Sequence, residues 1–286
     1  MKRLIALLVL LVLLCGCAPV QEPAQVAATT APVYEFTARL CQGTDITVTR
    51  LITENVSCLH DYSLSVRQVK AAEGAELIVL SGAGLEDFME DLLSEKATAD
   101  SSHNIHLLGC HHDHDHDHDH EDVDSHIWLS PENAMIMAKN ICDSLCAQYP
   151  QHQNAFLNNL QQLLTDLQVL QDYGKEQLAL LNTRELITFH DGFAYFAEAF
   201  GLTILKAVEE ESGSEASAGE LKELCELVRS HKLPAIFTEV SGSTSAAEIL
   251  SRETGVAIFM LDMAMSGNSY FEAMYHNIDT VKEALG

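Results

Sequence analysis

The chain has 286 residues, of which 47% are hydrophobic, and it carries 42 acidic against 16 basic side chains for a formal charge of −26. So much apolar material excludes a disordered chain and suffices for two domains of ordinary size. A surface this negative repels nucleic acid and anionic lipid while concentrating cations, so no nucleic-acid partner is expected.

Lys2 and Arg3 precede an apolar run over residues 4–14 that is too short to span a bilayer and is followed by small residues, which is the form of a secretory signal. It ends in Leu14-Cys15-Gly16-Cys17, a bacterial lipobox pattern. Residues 1–17 are therefore expected to act as a lipoprotein signal, with lipid on Cys17 holding an extracytoplasmic protein at the cell membrane without spanning it. Residues 18–24 read as a tether.

Beyond the tether, short β-rich runs alternate with longer helical ones, the pattern of an α/β fold with mostly parallel sheets. Strands are expected over 25–30, 46–52, 77–80 and 105–108 in an N-terminal lobe, 25–149, and over 186–189, 202–208, 235–238 and 256–261 in a C-terminal lobe, 183–286. Between them, residues 150–182 repeat Phe156, Leu160, Leu163, Leu164, Leu167, Leu170 and Leu178 at helical spacing. One linking helix of about 30 residues, near 45 Å long, is predicted there. Residues 97–124 and 209–220 read as irregular loops, the first enclosing a His/Asp-rich stretch over 101–124.

Six cysteines remain after Cys17. Cys142 and Cys146, four apart on an expected helix, suit buried packing better than a disulfide. Cys41 and Cys58 flank an expected strand in an oxidising compartment and are the pair placed for a disulfide, worth about 3 kcal/mol by loop entropy.

Three histidines share one local setting. His60 in "CLHDYSLS" follows an expected strand, His126 in "SHIWLSP" precedes a helix opened by Ser130 and Pro131, and His190 in "LITFHDGFAYF" ends a buried strand. In open α/β sheets ligands bind beyond the carboxyl ends of strands, so the three can meet only in a cleft between the lobes. Imidazole suits Zn(II), and a tetrahedral site needs one further donor. Asp262 and Glu239, each at the end of an expected strand, and water are the alternatives. Asp61 and Asp191, beside two of the histidines, read either as carboxylates orienting the rings or as helix N-caps. His111, His112, His114, His116, His118 and His120 offer many equivalent donors without one geometry, an auxiliary collector of metal that should fail near pH 5, where such imidazoles become cationic.

"LHDYSLS", "AELIVLSGAGLEDFMEDLL", "HIWLSPENA", "FHDGFAYFAEAFGL" and "AIFTEVSGSTSAAEILSRETGVAIFMLD" resemble, in order, segments of the zinc-specific solute-binding lipoproteins of ABC importers, from about residue 25 to the C-terminus. The resemblance implies two (βα) lobes, each with a four-stranded mostly parallel sheet, joined by one long backbone helix. It also implies a Zn2+ ion held between the lobes by His60, His126 and His190, and no catalysis. Relatives that bind manganese or iron carry Glu or Asp at the position of His190. Where the family reads Leu-Asp-Pro-Leu this chain has "LDMAM", which leaves the direction of Asp262 open. The expected role is capture of zinc and its delivery to an ABC permease by a monomer. The alternatives are a manganese or iron carrier, or a metal buffer or adhesin acting through the His-rich loop. A zinc hydrolase lacks support, since no HExxH or similar motif is present.

Overall fold

A computed structural model describes residues 24–54, 59, 62–109, 123–208, 216–240, 242–265, 267 and 269–286. Two sheets of four strands, all parallel, form its halves. The first has the order β2-β1-β3-β4, with β1 Val26–Ala28, β2 Val48–Arg50, β3 Leu77–Leu80 and β4 Thr98–Asp100. The second has the order β6-β5-β7-β8, with β5 Glu185–Thr188, β6 Thr203–Ala207, β7 Ala235–Glu239 and β8 Ala257–Leu261. The inner strands are apolar because helices cover both faces of a parallel sheet: every residue of β3 and of β7 is buried, while β4 and β8 at the edges are partly exposed.

Helices α1 Ala31–Leu40, α2 Val66–Gly74, α3 Pro131–Gln148 and α4 Gln153–Gln177 follow strands of the first half or close it. In the second half come α5 Ala194–Phe200, α6 Ala218–His231, α7 Ser245–Thr254 and α8 Tyr270–Leu285. Local chemistry sets several starts. Ser65 with Gln68 and Ser217 with Glu220 form reciprocal capping boxes at α2 and α6, and Ser130 caps α3 ahead of Pro131.

The predicted linking helix exists but is shorter. Residues 150–152 form a 3-10 turn and α4 runs for 25 residues, about 37 Å, before closing at Leu178. It buries Phe156, Leu163, Leu167, Leu170 and Gly174 against α3 and α1 of the first half and α8 of the second. Gly174 makes room for Phe200 at the end of α5: a Cβ there would lie 2.2 Å from its Cε1. One hydrophobic core therefore runs without interruption from Val26 and Phe36 through Trp128 and Leu167 to Tyr270 and Ile278. A smaller cluster around Leu224, Ile236 and Leu250 is confined to the second half.

Two expectations fail. Residues 105–108 are not a strand, and the edge position belongs to Thr98–Asp100, inside what reads as loop. Ile105 is buried, but Leu108 turns its N–H to a side chain, Tyr195 Oη, at 2.9 Å rather than to a neighbouring strand. The disulfide is corrected as well. Cys41, at the end of α1, is a free thiol buried in the core, and burial pushes its pKa up to about 12, a setting that favours an inert thiol. Cys58 lies outside the described residues. Cys142 and Cys146 are free, their sulfurs 4.0 Å apart. Among the described residues no helix is long and apolar enough to cross a membrane.

Candidate metal centre

His126 caps a single 3-10 turn, Ile127–Leu129, that leads into α3. Ile127, Trp128 and Leu129 are all buried, so the imidazole rides on an anchored turn and is itself only 4% exposed. Two residues upstream, Asp124 Oδ1 accepts the His126 backbone N–H at 2.9 Å and lies 2.8 Å from its Nδ1. In the tautomer that donates from Nδ1 to this carboxylate, Nε2 keeps its lone pair outward.

His190 stands beyond β5, whose end is fixed by the Phe189 N–H donating to Phe237 O at 2.8 Å. It is 2% exposed. The two imidazoles, contributed by opposite halves, cross at 90° with Nε2 atoms 3.4 Å apart. Gly192 makes room for this, because a Cβ there would lie 2.7 Å from His190 Cδ2 and 2.9 Å from its Nε2. Glu239, the last residue of β7, places Oε1 3.9 Å from His190 Nδ1 and so stands at the nitrogen that faces away from His126.

Asp262 follows β8 and is buried. Its backbone is clamped by Asn277 of α8, whose Oδ1 accepts the Asp262 N–H at 2.7 Å and whose Nδ2 donates to the Asp262 carbonyl at 2.7 Å. Asp262 Oδ1 accepts from Ala264 N at 2.7 Å, stabilising a turn with Ala264 at φ 59°. This amide clamp supplies the rigidity that a proline after Asp262 would have given.

The halves are joined around the site. Trp128 Nε1 donates to Met263 O at 2.8 Å, Tyr270 Oη donates to Trp128 O at 2.9 Å, and Glu35 of α1 accepts from Ser269 Oγ at 3.1 Å and Tyr270 N at 2.6 Å. At the carboxyl ends of β1 and β3, the fully buried Glu86 accepts from Thr29 Oγ1 at 2.6 Å, Ser81 N at 2.8 Å and Gly82 N at 3.0 Å. Burial outweighs those donors and raises its pKa to about 7.

Of the residues singled out in the sequence, His126 and His190 are brought together, Glu239 lies beside His190, and Asp262 is buried after β8. Asp191 sits half-buried in the turn after His190. His60, Asp61, Cys17 and the six histidines from His111 to His120 lie outside the described residues. Among the described residues no three His, Cys, Asp or Glu side chains gather closely enough to hold a metal. Asp124 and Tyr195 were missed by sequence reasoning. The available signal for Asp124 was its place two residues before a histidine, where an aspartate accepts the backbone N–H two positions on.

The family model for the periplasmic component A of the zinc-uptake complex, ZnuA, matches residues 26–284. The chain belongs to the ZnuA family. Members of this family carry solute for uptake and are not enzymes. The zinc-binding lipoprotein AdcA of Streptococcus pneumoniae is 29% identical over 280 residues, covering 90% of this chain but 55% of the relative, so the chain spans about half of that protein's length. The ZnuA-like domain of the same AdcA, solved with Zn(II) bound, has a TM-score of 0.77 at 28% identity and covers 92% of this chain and 98% of that one. A crystal structure of ZnuA gives a TM-score of 0.81 at 26% identity, covering 92% and 100%. The manganese-binding lipoprotein MntA of Halalkalibacterium halodurans is 25% identical over 235 residues, covering 79% of this chain and 77% of its own. The ZnuA fold thus accounts for the two four-stranded parallel sheets and the long helix, while the named relatives include both zinc- and manganese-binding proteins.

Proposed function

We propose that this ZnuA-family protein captures Zn(II) between its two halves through His60, His126 and His190, with Asp262 as the fourth donor, and delivers it to an ABC permease. One observation carries the reading: two buried imidazoles from opposite halves converge with their Nε2 atoms 3.4 Å apart. Ligands at 2.0–2.1 Å on a tetrahedral zinc stand about 3.3–3.4 Å from each other, whereas an octahedral ion at the same bond length would bring adjacent ligands to about 2.9 Å. Nitrogen donors also favour zinc over manganese, which prefers carboxylate, carbonyl and water oxygens. Glu239, near the Nδ1 side of His190, is better placed to orient that ring than to share its ion.

Residues 25–149 and 183–286 act as the two lobes around the 150–182 linker. The stretch His111–His120 gathers metal outside the fixed site, and lipid on Cys17 keeps the monomer at the outer face of the cell membrane beside the permease. Because α4 packs on both halves, loading shifts the population between closely similar arrangements.

Competition titration with a chelator of known zinc affinity tests this. The full chain should bind one zinc tightly and prefer it to manganese, His126→Ala and His190→Ala should each abolish the tight site, and deleting residues 110–121 should leave it intact. Loss of the tight site on that deletion would instead favour a buffer acting through the tract. A manganese preference would refute the cargo assignment.

A further inference from the structure

We propose that Tyr195 is a positioning residue for the cargo site, setting from the second half the direction in which His126 of the first half points. The inference rests on the zinc reading above. Tyr195 is buried in α5, five residues after His190, on a segment that Phe193 and Phe196 anchor in the core. Its phenol oxygen reaches across to the other half and uses both of its hydrogen-bonding roles there. It donates to the Asp124 carbonyl at 3.0 Å and accepts from the Leu108 N–H at 2.9 Å.

Those two backbone groups are already tied to each other. Asp124 N donates to Leu108 O at 2.9 Å, and Gly109 and Val123 form an antiparallel bridge beside them. The phenol therefore grips a closed neck rather than a loose strand end. From the neck the chain of contacts continues to the site: the Asp124 carboxylate holds both the backbone N–H and Nδ1 of His126, and His126 Nε2 faces His190 Nε2 at 3.4 Å. The covalent path from His190 to Tyr195 closes the ring. Any movement of the second half away from the first must stretch the phenol contacts, and Asp124 then carries its carboxylate and the imidazole with it. In this arrangement Asp124 orients the ring, and Tyr195 orients Asp124.

A hydroxyl that only stabilised the fold would lower the melting temperature of any background equally. A positioning hydroxyl has an effect on metal binding that needs Asp124, because coupled residues depart from additivity where independent ones do not. The test uses the full chain with Tyr195→Phe, Asp124→Ala and the double variant. Tyr195→Phe keeps the buried ring, and far-UV circular dichroism checks the fold. Tyr195→Phe is expected to weaken zinc binding about tenfold, and Asp124→Ala by between about 10- and 100-fold, the range for groups that orient a metal ligand. Adding Tyr195→Phe to Asp124→Ala should then cost less than about twofold more.

A second readout is independent of metal. Nitrogen-15 spectra of the metal-free chain, with the His126 ring assigned by its loss in His126→Gln, should show a single Nδ1–H tautomer in the parent and a mixture in Tyr195→Phe. A zinc affinity of Tyr195→Phe within twofold of the parent, a double variant weakened by the product of the two single effects, or an unchanged tautomer would each overturn the proposal. Failure of the parent to bind zinc would sink the cargo assignment instead, and the tautomer measurement would still decide the role of Tyr195.

Discussion

Replacing Gly192 by alanine tests the steric basis of the site. The residue is not among the glycines with positive φ, so alanine meets no backbone strain there and the effect is confined to one added methyl group. That methyl would lie 2.7 Å from His190 Cδ2, 2.9 Å from His190 Nε2 and 2.7 Å from Met263 Cε. Ordinary carbon contacts need about 3.5 Å. The thioether can swing aside, but the imidazole must retreat by roughly 0.5–0.8 Å to restore that contact distance. A shift of that size would change the 3.4 Å gap to His126 and take it away from the spacing of two ligands on one tetrahedral ion. A constellation loosened by more than about 0.5 Å loses much of its pre-organisation. Zinc affinity is expected to fall between about 10- and 100-fold, while overpacking costs the metal-free fold about 1–2 kcal/mol. Chelator competition reads the first quantity and urea unfolding of the metal-free chain the second. Affinity within twofold of the parent would refute the argument that Gly192 sets the position of His190.

Gly174→Ala should destabilise the chain by about 2 kcal/mol in urea unfolding, because the clash with Phe200 exceeds the gain of about 1 kcal/mol from better helix propensity. Trp128→Phe removes the indole N–H that donates to Met263 O across the halves and should cost about 1–3 kcal/mol by leaving that carbonyl unsatisfied, measured in the same way. Glu86 has a folded pKa raised to about 7, so between its unfolded value near 4.5 and pH 7 the folded state binds more protons. Its contribution is therefore fully present below pH 4.5 and is lost as pH rises to 7, by at most about 3 kcal/mol. Unfolding free energies of the parent minus those of Glu86→Gln, taken from pH 4.5 to 8, should fall across that window, and a flat difference would contradict the shift.

The inner strands were legible because burial on both faces leaves an unbroken apolar run, as in "LIVL" of β3 and "AIFT" of β7. The edge strand β4 was not, since "TAD" buries only its alanine and carries no periodic signal. The more apolar run nearby, residues 105–108, drew the assignment although it packs as irregular chain tied to Tyr195. His126 and His190 were legible from their place beside strands and helix starts. Asp124 was hidden by composition, one carboxylate in a stretch full of them, and its bond to the His126 ring emerges from the structure. The partnership of Trp128 with Met263 joins residues 135 positions apart, which no local pattern reports.

The core that passes without a break from the first sheet to the second makes the halves one thermodynamic object. Both halves contribute to one buried cluster and α4 packs on helices of each, so heating should produce a single melting transition, and fragments cut near residue 182 should not fold apart. A ligand bound at the seam then protects the shared core from global unfolding by RT ln(1 + [L]/Kd). Under the proposed role, metal scarcity would be felt as susceptibility of the folded core to proteolysis, and the abundance of the protein would itself follow the supply of metal.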